Sequence, residues 1–122
     1  MECLFCNINK ERIFLENELA YGVMDHYPIS EGHALFIPKR HFHTFFEAED
    51  AEITALYHLP QEGKKLLDDK YQPAGYNVWV NVGEEAGQSI MHLHIHLVPR
   101  YKNDEKALWG VDSSFKDRLE PK

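Results

Sequence analysis

Three histidines alternate with aliphatic residues in the segment His92-Leu93-His94-Ile95-His96. This is the period-two pattern of a half-buried strand, in which every second side chain points to the same face. The pattern predicts that the three imidazoles share one face, about 6.5 Å apart along the strand. An imidazole titrates near neutral pH and can act as a nucleophile, as an acid or base, or as a metal ligand. We therefore interpret this face as a reactive surface, against the alternative of a solvated face that is rich in histidine.

The loop before the histidines contains residues that favour phosphate binding. Gly83 and Gly87 can adopt backbone angles that are closed to other residues, and Gln88 and Ser89 add side-chain donors. Consecutive N–H groups in such a turn form a nest for anions. An ordinary hairpin connection would use the same glycines, but a position directly before three imidazoles favours a phosphate cradle.

The two cysteines of the chain, Cys3 and Cys6, form a Cys-x-x-Cys motif at the N-terminus. The spacing is common among zinc ligands. A redox pair and two small buried residues are the alternatives, although the strand-then-helix setting of a redox motif is missing. The eight histidines of the chain favour zinc, because a structural site needs about four ligands.

Hydrophobic periodicity and turn residues predict the elements that position these groups. The predicted elements are a short helical or turn segment over residues 1–17, strands over residues 18–25, His33–Ile37 and Tyr76–Asn81, a helix over residues 48–70, the histidine strand, and a polar tail over residues 102–122. Pro60 is expected to kink the helix or to split it near Leu59. The pattern indicates an α+β fold, in which Leu93, Ile95 and Leu97 pack an antiparallel sheet against one main helix.

Composition narrows the class of protein. A chain of 122 residues suits a single domain, and the net charge of −7 argues against a non-specific nucleic-acid binder. A small phosphorylated ligand remains compatible with that charge, because a local site can be electropositive. The N-terminus lacks the pattern of a signal peptide, and no apolar stretch approaches the roughly 20 residues of a membrane span. The chain is predicted to be soluble and cytoplasmic, without a membrane partner.

The segment His92 to Val98 resembles the motif that names the histidine triad (HIT) family, in which three histidines alternate with hydrophobic residues. Further blocks match in family order: Asp25, Gly32-His33, Ile37-Pro38-Lys39 with His41, Asn81, Ala86-Gly87-Gln88-Ser89 and Pro99-Arg100-Tyr101. The resemblance spans residues 3–101. It implies a compact α+β domain with an antiparallel sheet of about five strands, and homodimers in which two sheets are joined.

The resemblance also implies a function. Family members bind purine nucleotides and act as nucleotide hydrolases or nucleotidyl transferases on nucleoside phosphoramidates and dinucleoside polyphosphates. His94 would attack the α-phosphorus and form a covalent nucleotidyl-histidine, which water would then hydrolyse. The implied catalytic set is His92, His94, His96, Ser89 and Gln88. The implied substrate-binding set is Asp25 at the ribose, His26 and Phe5 at the base, and His33, Asn81, Gln88 and Ser89 around the reacting phosphate.

Some family members hold a structural zinc ion, and the resemblance implies the same here with Cys3, Cys6, His41 and His92 as ligands. His43 is a rival ligand, and no organic cofactor is expected. Residues 102–122 depart from the Gly-Gly-rich, Arg-containing segment of many relatives, which puts the selectivity for the leaving group in doubt. Two alternative functions are a metalloenzyme that uses the three triad histidines as ligands, and a nucleotide sensor with weak turnover.

Overall fold

The computed structural model describes residues 3–104 of the chain. Five strands are present among these residues: β1 (Ile13–Glu16), β2 (Ala20–Met24), β3 (Ala34–Pro38), β4 (Gly75–Val80) and β5 (Ile95–Arg100). They form one antiparallel sheet in the order β1-β2-β3-β5-β4, and α1 (Asp50–Tyr71) packs on one face of it. The predicted α+β class, with one main helix and a five-stranded antiparallel sheet, is confirmed.

Two boundaries differ from the prediction. The segment expected to be helical or turn-like holds only a short 3-10 turn at Lys10–Arg12, and Ile13–Glu16 forms an edge strand. The histidine strand begins only at Ile95, so that His92 and His94 precede it. The N–H of Leu93 donates to the carbonyl of Phe42 at 2.9 Å rather than to a neighbouring strand. Alternation of polar and apolar residues predicts an extended chain with two faces. It does not predict which backbone segment forms hydrogen bonds with that chain.

Pro60 was predicted to kink the helix or to split it near Leu59, and the split is wrong because α1 runs through Pro60 as one helix. The proline removes one backbone donor, but buried side chains hold both halves of the helix against the sheet. Leu56 and Leu59 lie before or beside the proline, and Leu67 lies after it. The start of the helix has a capping box in which Glu49 and Glu52 exchange side-chain and backbone hydrogen bonds.

The core lies between α1 and the sheet. Its largest buried members include Phe36, Leu59, Leu93 and Leu97, so the apolar residues between the histidines enter the core as predicted. Gly63 allows the helix to approach the sheet closely, because a Cβ at this position would lie 2.6 Å from Cζ of Phe36. This packing fixes one face of the segment 93–97 and leaves its histidines on the other face.

Among residues 3–104, no helix combines the length and the apolar character that crossing a bilayer requires. The predicted polar tail over residues 102–122 lies largely outside the described residues.

Candidate active site

His94, the central histidine of the triad, is buried and held by a backbone hydrogen bond. Its Nδ1 lies 2.9 Å from the carbonyl oxygen of His92, and only an N–H can donate to a carbonyl. The proton of the neutral ring is therefore on Nδ1, and Nε2 carries a free lone pair. Burial lowers the pKa of His94, although the carbonyl of His92 and the charge of Asp25 oppose the shift. The ring is thus a neutral imidazole with one nucleophilic nitrogen at physiological pH.

His92 points away from that nitrogen and into a cluster with both cysteines. Its Nε2 donates to the carbonyl of Pro38 at 2.8 Å, so its Nδ1 carries a lone pair. That Nδ1 lies 3.3 Å from Sγ of Cys3, 3.6 Å from Sγ of Cys6 and 3.2 Å from Nδ1 of His41. The four potential ligand atoms lie within 4.8 Å of one another. A carbonyl that accepts from the far nitrogen of a histidine is a common outer partner of metal ligands.

His96 contacts a second buried histidine. Nδ1 of His96 lies 2.9 Å from Nε2 of His33, which is also 3.4 Å from Oδ2 of Asp25. Trp79 stacks on His96 with ring centroids 5.1 Å apart, since the two residues are directly paired between β4 and β5. Burial lowers the pKa of His96 to about 4, helped by the nearby His94 and His33. Burial also lowers the pKa of His33, so both rings of the His33–His96 pair are neutral near pH 7.

A cavity of about 320 Å³ opens beside these rings. It is lined by Leu4, Phe5, Ile8, Arg12, Asp25, His26, Tyr27, Leu35 and Ile90. Phe5 lies between the two cysteines in sequence, and its ring meets the ring of His94 edge-on at 5.2 Å. The cavity is mainly apolar, and Asp25 and Arg12 add one acidic and one basic side chain. This composition suits a flat apolar ring system attached to a polyhydroxylated group.

Sequence reasoning identified three residues of this cavity, Phe5, Asp25 and His26, and missed six. Arg12 was missed because it falls in the segment that was predicted to be helical or turn-like and that carries no chemical pattern at this position. Its guanidinium donates to the carbonyl of Met24 at 3.1 Å. Leu4 and Tyr27 are largely exposed apolar side chains at the cavity. Their positions next to the predicted Phe5 and His26 are the signal that could have found them.

The glycine-rich loop is braced by two of the predicted site residues. Gly83 and Gly87 have φ values of +91° and +94°, in the region that favours glycine. The amide nitrogen of Gln88 donates to the carbonyls of His43 and Ile90, while its oxygen accepts from the N–H of Gly83. Asn81 donates to the carbonyl of Gly87 at 3.3 Å.

These bonds use the side chain of Gln88 inside the protein, which makes it a support for the loop. Ser89 is exposed directly after it, and His26 is exposed at the cavity. His43 lies outside the four-residue cluster of possible metal ligands, although its ring meets that of His41 at 5.6 Å. The structure therefore brings together most of the predicted site residues, and His43 lies outside the candidate metal cluster while its carbonyl accepts from Gln88.

Comparison with known proteins places the chain in a family. The HIT domain model matches residues 7–103, and the chain belongs to the HIT domain family. An uncharacterized 16.1 kDa HIT-like protein of Mycoplasma pneumoniae is 38% identical over 104 residues, which cover 82% of this chain and 72% of that protein. The crystal structure of a HIT family protein from Bacillus anthracis superposes with a TM-score of 0.80 at 28% identity, covering 97% of this chain and 86% of the other.

Two further relatives are named for reactions on nucleotides. An AP-4-A phosphorylase of Mycobacterium tuberculosis is 32% identical over 104 residues, which cover 84% of this chain and 49% of that enzyme. The diadenosine triphosphate hydrolase of Plasmodium falciparum has a TM-score of 0.73 at 26% identity, covering 80% of this chain and 66% of the other. The resemblance to the HIT family is therefore confirmed, and nucleotide-processing enzymes are among the relatives of this chain.

Proposed function

We propose that this protein is a nucleotidyl hydrolase or transferase that cleaves purine nucleotides at the α-phosphate through a covalent intermediate on His94. The observation that carries the proposal is the hydrogen bond between Nδ1 of His94 and the carbonyl of His92. This bond leaves Nε2 unprotonated, and burial keeps the ring neutral. A neutral, immobilised imidazole next to a nucleotide-sized cavity is a suitable nucleophile for phosphorus.

The reaction proceeds in two displacements. The lone pair on Nε2 of His94 attacks the α-phosphorus, a P–N bond forms, and the bond from phosphorus to the leaving group breaks. The leaving group takes that electron pair and accepts a hydrogen bond from Nε2–H of the neutral His96, and a leaving amine takes the proton it needs from solvent. Water then attacks the same phosphorus and loses a proton to solvent, the P–N bond breaks with its electron pair returning to Nε2 of His94, and nucleoside monophosphate is released. Ser89, which is exposed at the end of the Gly83–Ser89 loop, would donate from its hydroxyl to the phosphoryl oxygens and stabilise the charge that develops there. The N–H groups of Gly83, Ala86, Gly87 and Gln88 already donate within the loop and brace it.

The cavity is the proposed site of the nucleoside. Phe5, Ile8 and Leu35 line the cavity and would offer apolar surface to the purine, and Asp25 in the same lining would accept from the ribose hydroxyls. A nucleoside phosphoramidate and a dinucleoside polyphosphate both contain this unit, and the names of two relatives refer to diadenosine polyphosphates. The substrates are therefore proposed to share the nucleoside and the α-phosphate and to differ in the leaving group.

The triad is a poor ligand set for one shared ion, which argues against the alternative of a triad metalloenzyme. Each Nδ1 has its own partner: His92 faces the thiols, His94 donates to a carbonyl, and His96 pairs with His33. On the other side, Nε2 of His92 donates to Pro38. A single ion could reach at most the Nε2 atoms of His94 and His96, which is too few for a His₃ site.

The cluster of Cys3, Cys6, His41 and His92 is a separate candidate for a structural zinc ion. Two thiolates and two imidazoles form a closed tetrahedral set, and the lone pair of His92 already faces both thiols. Zinc there would supply cross-linking of the N-terminal segment to the loop around His41 and to the triad. It would leave no open position for water, so the catalytic steps depend on the residues of the chain.

A homodimer formed along β4 is also proposed. This strand is an edge of the sheet, and Val78 on it exposes 62% of its surface to solvent. An apolar cavity of about 430 Å³ next to Val78 is lined in part by Phe45 and Tyr57, and a second copy would cover this surface. Light scattering coupled to gel filtration tests this proposal, since Val78→Glu should give a monomer if β4 is the interface.

Mass spectrometry of the protein quenched during turnover of an adenosine phosphoramidate tests the reaction. The wild type should gain the mass of one adenylyl group. His94→Asn should show no adduct and still bind nucleotide, while His58→Asn, an exposed helix position, should behave like the wild type. An adduct that persists in His94→Asn, or turnover without any adduct in the wild type, would refute the proposal. Tight binding with negligible turnover would instead favour the sensor.

A further inference from the structure

The loop between β2 and β3 determines which nitrogen of His33 carries its proton. The backbone N–H of Ile29 lies 3.1 Å from Nδ1 of His33. A backbone N–H can only donate, so Nδ1 must accept. His33 is almost fully buried and burial lowers its pKa, so its ring is neutral. The single ring proton is therefore on Nε2.

The position of the proton on His33 also determines the position of the proton on His96. Nε2 of His33 lies 2.9 Å from Nδ1 of His96, and the proton in this bond belongs to His33. Nδ1 of His96 is then the acceptor, and the proton of the neutral His96 ring must be on its Nε2. Among the described residues, this Nε2 is buried and has no hydrogen-bond partner. A buried N–H without an acceptor costs free energy of folding. At a reaction site such an N–H is available to donate a hydrogen bond to a ligand.

From this chain of bonds we infer that His33 is a positioning residue, which fixes His96 as a donor through Nε2 and does not itself bind substrate. This inference rests on the proposed function of the site and adds a cause for the protonation of His96. Ile29, His33 and His96 form a relay of three hydrogen-bond donors. Each of the first two occupies Nδ1 of the next ring, so the proton of that ring must be on Nε2. The stack of Trp79 on His96 holds the ring plane in the same arrangement.

The relay also argues against a cation site at Asp25, His33 and His96. Asp25, His33 and His96 place three potential ligand atoms within 4.8 Å of one another. A metal ion needs the lone pair of His33 Nε2, but that nitrogen carries the proton as long as Ile29 donates to the other one. If the proton of His33 moved from Nε2 to Nδ1, the new N–H would face the backbone N–H of Ile29. The amide of Ile29 thus makes this cluster a hydrogen-bond relay and a poor metal site.

Nitrogen-15 NMR of the histidine side chains tests the inference without any reaction. In the wild type at about pH 7.5, His33 and His96 should each show a protonated Nε2 and an unprotonated Nδ1. A predominant Nδ1–H form of either ring would overturn the inference. Because this measurement does not depend on turnover, it stands even if the proposed function fails.

Kinetics separates positioning from binding. His33→Gln places an amide N–H near the position of Nε2 and should keep most of the activity, whereas His33→Leu removes the donor. We expect His33→Leu to lower kcat by about 100-fold, within the range for losing one donor to the transition state, with KM changed by less than about threefold. The Nδ1 resonance of His96 should also shift in His33→Leu and remain close to that of the wild type in His33→Gln.

Two outcomes would contradict the inference. A rise in KM at unchanged kcat in His33→Leu would make His33 a substrate-binding residue. Equal loss of kcat in both variants, with the His96 resonance unmoved, would mean that the donor of His33 is irrelevant. Circular dichroism and thermal denaturation establish that both variants fold, and the NMR test on the wild type remains decisive if either does not.

Discussion

Acidification from about pH 7.5 to about pH 5 should lower the free energy of unfolding by about 1–2 kcal/mol through His96 alone. Burial, the first cause, lowers the pKa of this ring from 6.5 to about 4; the nearby His94 and His33 act in the same direction, and the charge of Asp25 opposes the shift. The unfolded chain therefore binds a proton at His96 more readily than the folded protein does. The stability that depends on the neutral ring is present above about pH 6.5 and is lost as the pH falls towards about 4.

The magnitude follows from the two pKa values. At about pH 5 the imidazole is about 97% protonated in the unfolded chain and about 10% protonated in the folded protein. Integrating that difference down from about pH 7.5 gives about 2 kcal/mol, and the partial exposure of the ring reduces the figure towards about 1 kcal/mol. This is a large share of the total stability of a small domain, which is typically about 5–15 kcal/mol.

Urea unfolding at both pH values measures the effect. His96→Gln removes the titrating group, so its loss of stability on acidification should be smaller than that of the wild type by about 1–2 kcal/mol. His58→Gln, which replaces an exposed histidine of α1, should lose as much as the wild type. If His96→Gln proves as sensitive to acid as the wild type, the ring is not held neutral by the fold and the reasoning is wrong.

Three further predictions concern packing, metal and substrate. Gly63→Ala should lower stability by about 1–2 kcal/mol in thermal denaturation, because overpacking against Phe36 outweighs the gain in helix propensity; Gly75→Ala, where a Cβ meets nothing within 4 Å, is the control that should change little. Elemental analysis should find about one zinc ion per wild-type chain and much less in Cys6→Ser, and equal contents would contradict the proposed ligands. Asp25→Asn should reduce the preference in kcat/KM for ribonucleotides over deoxyribonucleotides by about tenfold, and an unchanged ratio would place the ribose elsewhere.

The sequence predicted the position of the helix and of most strands because their apolar patterns are long and regular. The helix expected over residues 48–70 is found at Asp50–Tyr71, and the strand expected over residues 18–25 is found at Ala20–Met24. Pro60 did not break the helix, since tertiary contacts on both sides outweigh the lost backbone bond. The edge strand Ile13–Glu16 was missed because four residues are too few to show a period.

The site was predictable where a side chain carries a recognisable chemical pattern. The triad, the Cys-x-x-Cys motif and Asp25 belong to that group. The direction of hydrogen bonds was not predictable, because it depends on which backbone groups lie next to each ring in space. Ile29 contacts His33 through its amide, and no side-chain pattern records that contact. Gln88 was likewise predicted to be a phosphate donor, whereas its side-chain amide bonds to the backbone of Gly83 and His43.

Phe36 is pressed from two directions by positions that carry no side chain. A Cβ at Gly22 on β2 would lie 2.8 Å from this ring, and a Cβ at Gly63 on α1 would lie 2.6 Å from it. The side chains at Gly22, Phe36 and Gly63 therefore share one volume. A larger side chain at one of these positions requires a smaller one at another. Substitutions there should be tolerated in combination and harmful singly, so that the history of mutations at these sites depends on the order in which they arise.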